Sequence, residues 1–559
     1  MPNKYDVLVV GSGASGGWAC KRLAEAGLKV ALIDAGRAQS DKNFTDHVPA
    51  FKLKYRNLAP EVIRRAGRPI QMGSIDGEYN YDWACNDMDE PYTTSPGMPF
   101  NWRGRMRITG GRTNVWGRHS YRMSDLDFKA ASRDGYGVDW PLSYKDLAPY
   151  YDIVEEYVGI SGMAEGVYEL PDGKFQPPMG WTRVELLVRN RVKEKFGRTM
   201  TMGRAANITR SLNGRAPCHY CEPCWRGCVT HSYFNSYFTT VADALKTGRC
   251  ALVPNAMVYK VLMDSERHRA RGLLYIDRVT RQAKEIHGRA VVLCAQSQES
   301  VRILLNSATR QHPNGLANSS GVLGHYLMDH ITGGGASGEF PNLTGKPWIQ
   351  GGRAHRPIGP YLIRFRNTHN GPRDKNFLRG YGCQAEGYPY FNWAAPGFGE
   401  AYKKAIQEPV VKFGMGGFGE CLARWNNHVE INPKVVDTYG IPVLNIQMKY
   451  EENEFAMVKD MAASAAEMLE ACGAKNIQIG DTPGVPGSAI HEVGIARMGH
   501  DPKAFVLNQF QQAHDIKNLF VMDGSGFPSS PCQNPTLTIM ALCVRSCDYL
   551  MEEMRKGEI

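Results

Sequence analysis

The sequence contains no long hydrophobic run, and this absence excludes a membrane-spanning helix. No stretch of the 559 residues reaches the ~18 consecutive apolar residues that a span requires. A signal-peptide pattern is also missing, because residues 1–5 lead directly into a predicted strand. The formal net charge is +10, but no long basic tract alternates with aromatic residues. We therefore expect neither a membrane span of its own nor a nucleic-acid partner.

The sequence also lacks the paired cysteines of a disulfide framework. Of its 14 cysteines, all but four are scattered singly, which suits folding in a reducing compartment. The exception is one run that contains Cys218, Cys221, Cys224 and Cys228. Its spacing matches the bacterial iron–sulfur pattern, in which one loop wraps several thiolates around a cluster. A structural zinc ion, disulfides and free thiols are the alternatives.

Length and composition set the expected architecture. The chain exceeds the usual range of a single domain, so we expect two domains with separate cores. Apolar residues at 43% and charged residues at 22% are typical of a globular protein. An amphipathic helix predicted around residues 454–470 is interpreted as scaffold, because its Met and Ala spacing is that of a packed face.

The N-terminus carries the order of elements that a dinucleotide site requires. A short apolar strand at residues 5–10 leads into a turn with Gly11, Gly13 and Gly16, and a helix-like stretch follows. Gly11 allows the tight turn, Gly13 lets the backbone approach a pyrophosphate, and Gly16 allows close packing of helix on strand. A second strand ends at Asp34, whose carboxylate can accept hydrogen bonds from an adenosine ribose. A tight turn without a ligand is the alternative.

Two late segments favour FAD over a nicotinamide cofactor. Residues 291–296 form a predicted buried strand that is followed by a helix, and residues 518–525 form a predicted strand that ends in an acidic turn. Flavoproteins return to their cofactor with such late segments, whereas nicotinamide enzymes generally do not.

The C-terminal region supplies candidate catalytic groups. His491 lies in the sequence IHEVGIARMG, and Asn534 is followed by Pro535 at the predicted first position of a helix. The helix N-terminus could face a flavin and stabilise negative charge on it. From these residues alone, a structural histidine and a simple helix cap are the alternatives.

Several segments together resemble the glucose–methanol–choline (GMC) oxidoreductase family: residues 11–16, the GGRTNVWG segment at 110–117, the His491 segment and residues 523–535. The resemblance implies an α/β fold, in which a Rossmann-like FAD-binding domain is combined with a discontinuous antiparallel-sheet substrate domain. This architecture is like that of p-hydroxybenzoate hydroxylase. Residues 1–330 and 481–559 would form the FAD-binding domain, with a cysteine-rich insert at about 211–235. Residues 331–480 would form the substrate-binding domain.

The same resemblance implies roles for individual residues. His491 would be the base and Asn534 its hydrogen-bonding partner during hydride transfer from an alcohol to flavin N5. Some sugar-oxidising relatives attach FAD through a histidine at the position of Val115, so its presence here favours non-covalent FAD. The implied cofactor contacts are Gly11, Gly13, Gly16, Asp34, Gly110, Gly111, Asn114, Val115, Val258, Ala295, Asp523, Gly524, Asn534, Pro535 and Thr536.

The cysteine run resembles that of the iron–sulfur-containing bacterial sugar dehydrogenases, and glucoside 3-dehydrogenases in particular. This implies a 3Fe–4S or 4Fe–4S cluster that accepts electrons after oxidation of a secondary hydroxyl, at C3 of a pyranoside. The implied partners are a signal-bearing small subunit and a c-type cytochrome or quinone-linked acceptor in the periplasm, with a cytoplasmic location as the alternative. Gluconate or glucose dehydrogenase subunits, O2-using oxidases and a non-catalytic electron-carrier subunit are the competing functions. In the substrate domain, residues 381–393 and 417–420 mix polar and aromatic side chains.

Overall fold

Helices pack on three β-sheets in the part of the chain that the computed structural model describes, residues 5–58, 66–264, 266–343, 356–374, 376–391, 395–407 and 409–559. Asn392 and Trp393, which belong to the polar and aromatic stretch predicted for the substrate domain, lie outside the described residues.

The strands vary from two to eleven residues in length. In chain order they are β1 (Tyr5–Val10), β2 (Val30–Ile33), β3 (Thr93–Thr94), β4 (Met200–Met202), β5 (Cys250–Val253), β6 (Ala256–Asp264), β7 (Arg269–Asp277), β8 (Ala283–Leu293), β9 (Gly334–Glu339), β10 (Pro360–Leu362), β11 (Tyr381–Tyr390), β12 (Val410–Gly419), β13 (His428–Val436), β14 (Pro442–Gln447), β15 (Lys475–Asp481) and β16 (Leu519–Val521).

The α-helices include short single turns and two long helices near the C-terminus. They are α1 (Ala14–Glu25), α2 (Asp125–Phe128), α3 (Ala130–Asp134), α4 (Tyr144–Val158), α5 (Arg183–Phe196), α6 (Ala242–Lys246), α7 (Ser297–Asn306), α8 (Gly399–Gln407), α9 (Glu452–Ala471) and α10 (Thr536–Lys556). None of the helices in the described ranges is both long and apolar enough to cross a bilayer.

The first sheet is built around the N-terminal strand. Strands β5, β2, β1, β8 and β16 pair in parallel, and β8 continues outward through antiparallel pairs with β7 and then β6. The central residues of β1 and all of β2 are fully buried, as expected for parallel strands that are covered on both faces. Helix α1 packs against α10, which in turn packs against α4. The late strand β8 therefore returns to β1, and β16 pairs with β8, as the sequence predicted.

The second sheet is antiparallel and has the strand order β15-β9-β12-β11-β10-β4. Buried and mostly half-buried residues alternate along β9 and β12, so one face of the sheet packs on helix α9. A Cβ atom at Gly417 or Gly419 would lie 2.4 Å from the sulfur of Met461 or Met457 in that helix. Glycine in β12 thus lets the helix approach closely. The predicted scaffold role of α9 is confirmed.

The antiparallel sheet draws on two distant parts of the sequence. Most of its strands lie between residues 334 and 481, but β4 comes from Met200–Met202. A third, small sheet pairs β13 with β14 in antiparallel and β14 with β3 in parallel. Residues from 331 to 480 therefore supply most of the antiparallel structure, while strands from earlier in the chain complete both sheets.

Candidate active site

A cavity of about 810 Å3 lies at the carboxyl ends of the parallel strands. Residues that follow β1, β2 and β8 line one part of it, and side chains from β11 and β12 line another. This is the edge at which open α/β sheets bind their ligands. Its volume lies within the range of small-molecule and cofactor sites.

The first glycine turn forms one end of the cavity. Gly11 has a φ of 94°, and a Cβ there would lie 2.4 Å from the carbonyl oxygen of Cys294. A Cβ at Gly16 would lie 1.8 Å from the Gly11 carbonyl oxygen, so helix and strand touch at this point. At Gly13 a Cβ would meet no protein atom within 4 Å, and this residue faces the cavity. Helix α1 begins directly after Gly13 without a side-chain cap, which leaves its first amide groups suited to an anion.

Asp34 holds this turn in place. Its carboxylate accepts hydrogen bonds from the backbone nitrogen of Ser12 at 2.7 Å and from the Gly36 nitrogen at 2.6 Å. The Ser12 hydroxyl also donates to Asp34 and accepts from the Gly110 nitrogen at 2.8 Å, which joins the two glycine turns. Burial raises the pKa of Asp34. The side chain lines the cavity, as the predicted ribose contact requires.

The second glycine turn lies opposite the first. Gly111 and Val115 line the cavity, and a Cβ at Gly111 would lie 3.6 Å from the Cα of Gly13. Asn114 lies behind the turn, where its amide nitrogen donates to the carbonyl oxygens of Thr109 and Gly111 at 3.1 and 2.8 Å. This asparagine therefore shapes the turn instead of facing the cavity.

Most of the predicted cofactor residues lie on the cavity wall. Gly16, Gly110 and Asn114 are absent from the wall and support it from behind. The predicted residues that do line it are Gly11, Gly13, Asp34, Gly111, Val115, Val258, Ala295, Asp523, Gly524, Asn534, Pro535 and Thr536. Asp523 is fixed there because its carboxylate accepts from the hydroxyls of Ser300 at 2.5 Å and Ser525 at 2.6 Å.

His491 and Asn534 meet at the cavity wall between the two sheets. The Nδ2 atom of Asn534 lies 3.2 Å from the Nε2 atom of His491. The Oδ1 atom of Asn534 accepts a hydrogen bond from Gln384 of β11 at 3.2 Å. Helix α10 begins at Thr536 after Pro535, without a side-chain cap. The alternative in which Asn534 is only a helix cap is therefore wrong, because its amide is directed to His491 and Gln384.

Burial controls the charge of His491. Removal from water lowers the pKa of its imidazole well below the usual value, and the neighbouring His330 and Arg112 lower it further. The ring is therefore neutral near pH 7, which is the form that can accept a proton. The next residue, Glu492, has a fully buried side chain that accepts from the two terminal guanidinium nitrogens of Arg112, Nη1 at 2.6 Å and Nη2 at 3.0 Å.

The dipeptide Asp329-His330 contacts His491 from the opposite side. The His330 Nδ1 atom lies 2.8 Å from the Nδ1 atom of His491. The Asp329 carboxylate accepts from the backbone nitrogens of His491 at 2.8 Å and of Ala489 at 3.1 Å. Burial, with Glu492 nearby, raises the pKa of Asp329 to about 7. Sequence reasoning missed this dipeptide and Gln384, because nothing in the sequence connects them to His491 or Asn534.

Comparison with protein families decides the affiliation of the chain. The N-terminal model of the GMC oxidoreductase family matches residues 6–332, and the C-terminal model matches residues 423–543. The chain belongs to the GMC oxidoreductase family. Members of this family generally bind FAD and oxidise alcohol or sugar donors. The family resemblance and the expected fold class are thereby confirmed.

This GMC oxidoreductase is similar to known proteins over nearly its whole length. It is 30% identical to the 2-methyl-1,2-propanediol dehydrogenase of Mycolicibacterium austroafricanum, over 98% of this chain and 95% of that one. It is 26% identical to the fructose dehydrogenase large subunit of Gluconobacter japonicus, over 99% and 98%. The crystal structure of pyridoxine 4-oxidase from Mesorbium loti aligns with a TM-score of 0.58 over 98% of this chain and 99% of that chain. Its sequence identity is 17%, so that likeness shows the fold alone.

The cysteine run of this GMC oxidoreductase forms a loop beside the cavity. Cys224 and Cys228 are buried against Tyr233, whereas Cys218 and Cys221 are half-buried. The most compact donor group among the described residues joins His47, His219 and Cys221, whose ligand atoms all lie within 4.8 Å of one another. No three of the four cysteine sulfurs are that close together.

Two contacts join the cysteine loop to the cavity. Trp225, which follows Cys224, lines the cavity next to the second glycine turn. The Tyr233 hydroxyl donates to the backbone oxygen of Asn114 at 2.8 Å. The guanidinium group of Arg118 lies near both aromatic rings, 5.3 Å from the Trp225 centroid and 5.5 Å from that of Tyr233. The loop is therefore attached to the turn that shapes the cavity.

Proposed function

We propose that the protein is an FAD-dependent dehydrogenase that oxidises a secondary hydroxyl of a sugar or glycoside, at C3 of a pyranoside, and passes the electrons to a partner through an iron–sulfur cluster. The observation that supports this best is the pair formed by His491 and Asn534 in the wall of a cavity that also contains two glycine turns. This arrangement combines a place for a dinucleotide with a neutral base.

The residues present fit FAD. The open side of Gly13 and the uncapped start of α1 would hold the pyrophosphate, and Asp34 would accept from the ribose. Gly111 would allow close approach of the ring system. When bound, FAD supplies the acceptor for the hydride that leaves the alcohol carbon. Val115 offers no nucleophile for a covalent attachment, which supports non-covalent binding of the cofactor.

The protein residues supply proton transfer and orientation. The Nε2 atom of neutral His491 takes the proton of the substrate hydroxyl, which an alcohol does not release unaided near pH 7. The amide of Asn534 binds the same oxygen, and its orientation is fixed by Gln384. The ring of Phe418, whose centroid lies 5.9 Å from that of His491, adds an apolar face to this part of the cavity. A polar amide beside an aromatic ring suits a sugar, which has hydroxyls at its edge and C–H groups on its faces.

Residues 331–480, completed by β4, form the proposed substrate domain. Gln384 and Phe418 both belong to its antiparallel sheet and line the cavity. The relatives named for fructose and for 2-methyl-1,2-propanediol support a sugar or polyol as the donor.

Anaerobic titration of the purified protein with a panel of sugars and glycosides tests the proposal. Bleaching of the flavin absorbance identifies the donor, and product analysis identifies the oxidised carbon. A pyranoside that bleaches the flavin and yields a 3-keto product is the expected result. If no sugar, glycoside or polyol reduces the flavin, the proposed donor class is wrong.

The cysteine loop is the proposed exit for electrons. Iron and sulfide analysis, with electron paramagnetic resonance after sugar addition, should show a cluster that is reduced by the substrate. The compact group of His47, His219 and Cys221 favours zinc as a second candidate, because two imidazoles and a thiolate suit tetrahedral zinc. If the analysis finds zinc and no iron, electron transfer through the cysteine loop is excluded. Hydrogen peroxide formed at the rate of turnover would then indicate an oxidase.

We further propose a signal-bearing small subunit and a c-type cytochrome as partners in the periplasm. Support comes from the similarity to a protein named as a large subunit. Co-purification from the native host, followed by mass spectrometry, tests this assembly. Recovery of the chain alone from the cytoplasmic fraction would contradict it.

A further inference from the structure

We infer that His330 is a positioning residue that holds His491 in the tautomer whose Nε2 atom is unprotonated and faces the cavity. The inference rests on the proposed role of His491 as the base. The positioning by His330 explains why the unprotonated nitrogen of His491, and not the protonated one, faces the substrate.

The first step is the proton on His330. Its Nε2 atom lies 2.6 Å from the carbonyl oxygen of Pro531. A carbonyl oxygen can only accept, so Nε2 of His330 carries a hydrogen and donates it. Burial lowers the pKa of His330 to about 4, so the ring is neutral near pH 7 and carries only this one proton. Its Nδ1 atom therefore presents a lone pair.

The second step passes this constraint to His491. The two Nδ1 atoms lie 2.8 Å apart, a distance that requires one hydrogen between them. Because Nδ1 of His330 has only a lone pair, the hydrogen belongs to Nδ1 of His491. Neutral His491 then has its lone pair at Nε2, where the Asn534 Nδ2 atom at 3.2 Å is a donor. In the other tautomer, the lone pair at Nδ1 of His491 would face the lone pair of His330. The N–H group at Nε2 would then face the N–H group of Asn534.

The surrounding contacts leave the two rings little freedom. His330 is buried and His491 is partly buried in the cavity wall, and the planes of the two rings cross at 83° with centroids 4.8 Å apart. The carbonyl oxygen of His330 accepts from the Tyr450 hydroxyl at 3.0 Å. Asp329 holds the backbone of His491 through its nitrogen at 2.8 Å. One dipeptide thus fixes both the main chain and the ring of the base.

His330 is a neutral hydrogen-bond acceptor for His491, and its effect on the pKa of His491 differs from that of a carboxylate. When Nε2 of His491 takes the substrate proton, its Nδ1–H donates a charge-assisted hydrogen bond to His330. No negative charge lies at Nδ1, so His491 is stabilised in its protonated form less than it would be by aspartate. His491 therefore stays neutral over a wider range of pH before substrate arrives.

Two isosteric variants test the roles of the two nitrogen atoms of His330 separately. In His330→Asn, the side-chain oxygen occupies the place of Nδ1 and can accept from His491. In His330→Gln, the amide nitrogen occupies the place of Nε2 and can donate to Pro531, but no acceptor remains for His491. We expect flavin reduction in stopped flow to stay within about fivefold of wild type in the Asn variant and to fall about 100-fold in the Gln variant, within the range of general-base catalysis.

Sugar affinity, FAD content and a direct reading of the tautomer complete the test. Sugar binding should be unchanged in both variants, because neither alters the cavity wall. The 15N spectrum of histidine-labelled wild-type protein, with His491 assigned by its loss in His491→Ala, should show protonated Nδ1 and unprotonated Nε2. This reading decides the matter even if a variant fails to fold.

Protonated Nε2 in the neutral wild-type protein would overturn the inference. Equal rates in the Asn and Gln variants would overturn it as well. If His491→Ala reduces its flavin as fast as wild type, the proposed function fails first, because His491 is then not the base at all.

Discussion

The wall around His491 and the loop around Cys224 lie on the same cavity, yet the chain stabilises them differently. His491 is held by protein groups at both ring nitrogens and at its backbone nitrogen. The cysteine loop contains two non-glycine residues in left-handed conformation, Tyr220 with a φ of 61° and Glu222 with a φ of 80°. In addition, the buried Oδ1 atom of Asp46 beside the loop has no hydrogen-bond partner among the described residues.

In the reaction site the ring nitrogens of His491 have partners, whereas a buried carboxylate oxygen beside the cysteine loop has none among the described residues. Left-handed backbone is common to both regions, because Ile490, next to His491, also has a φ of 61°. Left-handed non-glycine residues cost free energy and tend to occur at functional sites. They suit a loop that wraps around a metal centre, as we propose for the cysteines. Mutations in the two regions should therefore have independent effects, because the first region reacts with the substrate and the second transfers electrons to the partner.

Substitutions in each region should show the largest effects. His491→Ala should slow flavin reduction by sugar by about 10²- to 10⁴-fold, because it removes the general base. Its metal content should remain that of wild type. Cys224→Ser should lose the metal centre and electron delivery to the partner, while anaerobic bleaching of the flavin by sugar persists.

Stopped-flow absorbance and metal analysis on the same preparations measure both effects. FAD content serves as the control for folding in each variant. Loss of sugar-dependent bleaching in Cys224→Ser would contradict the separation, because it would place the loop in the substrate reaction.

Loss of the ion pair between Arg112 and Glu492 should give the next largest effect, which is on stability. Arg112→Met leaves the fully buried Glu492 carboxylate without its partner, which should lower the free energy of unfolding by about 3 kcal/mol. Adding Glu492→Gln should restore most of this loss, because the uncompensated charge is then gone. Urea unfolding of the FAD-free protein measures both values. A double variant as unstable as the single one would show that packing, and not charge, dominates here.

Local sequence predicted the N-terminal part of the site well. The strand, glycine turn and helix at Tyr5–Glu25 depend on contacts within one short segment, and the late strands could be predicted because their apolar runs are distinct. His330 and Gln384 could not be predicted. They lie 161 residues from His491 and 150 residues from Asn534, respectively, and only the packing of the two sheets brings them together. The place of Asn114 in the turn was predicted, but the direction of its side chain was not, because a backbone turn does not reveal where a side chain is directed.

Titration of Asp329 should give a smaller effect that depends on pH. Its pKa is raised to about 7 in the folded protein, above the ordinary value of ~4 that applies in the unfolded chain. Between these values the folded state binds more protons, so this group makes stability fall as pH rises from about 4 to 7. The slope for one proton is about 1.4 kcal/mol per pH unit. Asp329→Asn should flatten the pH dependence of unfolding in this window, and an unchanged slope would place the titration elsewhere.

The smallest expected effect is that of His47→Ala, and it tests which donors the cysteine loop uses. The His47 side chain is about half exposed and lies outside the cysteine run, so iron and sulfide content should remain at the wild-type level. Cys228→Ser is the matched comparison, because Cys228 lies outside the group of His47, His219 and Cys221. If four thiolates hold a cluster, only the Cys228 variant loses its metal. If the compact group holds zinc, only the His47 variant does, and the contrast between the two regions then becomes one between a reaction site and a structural metal site.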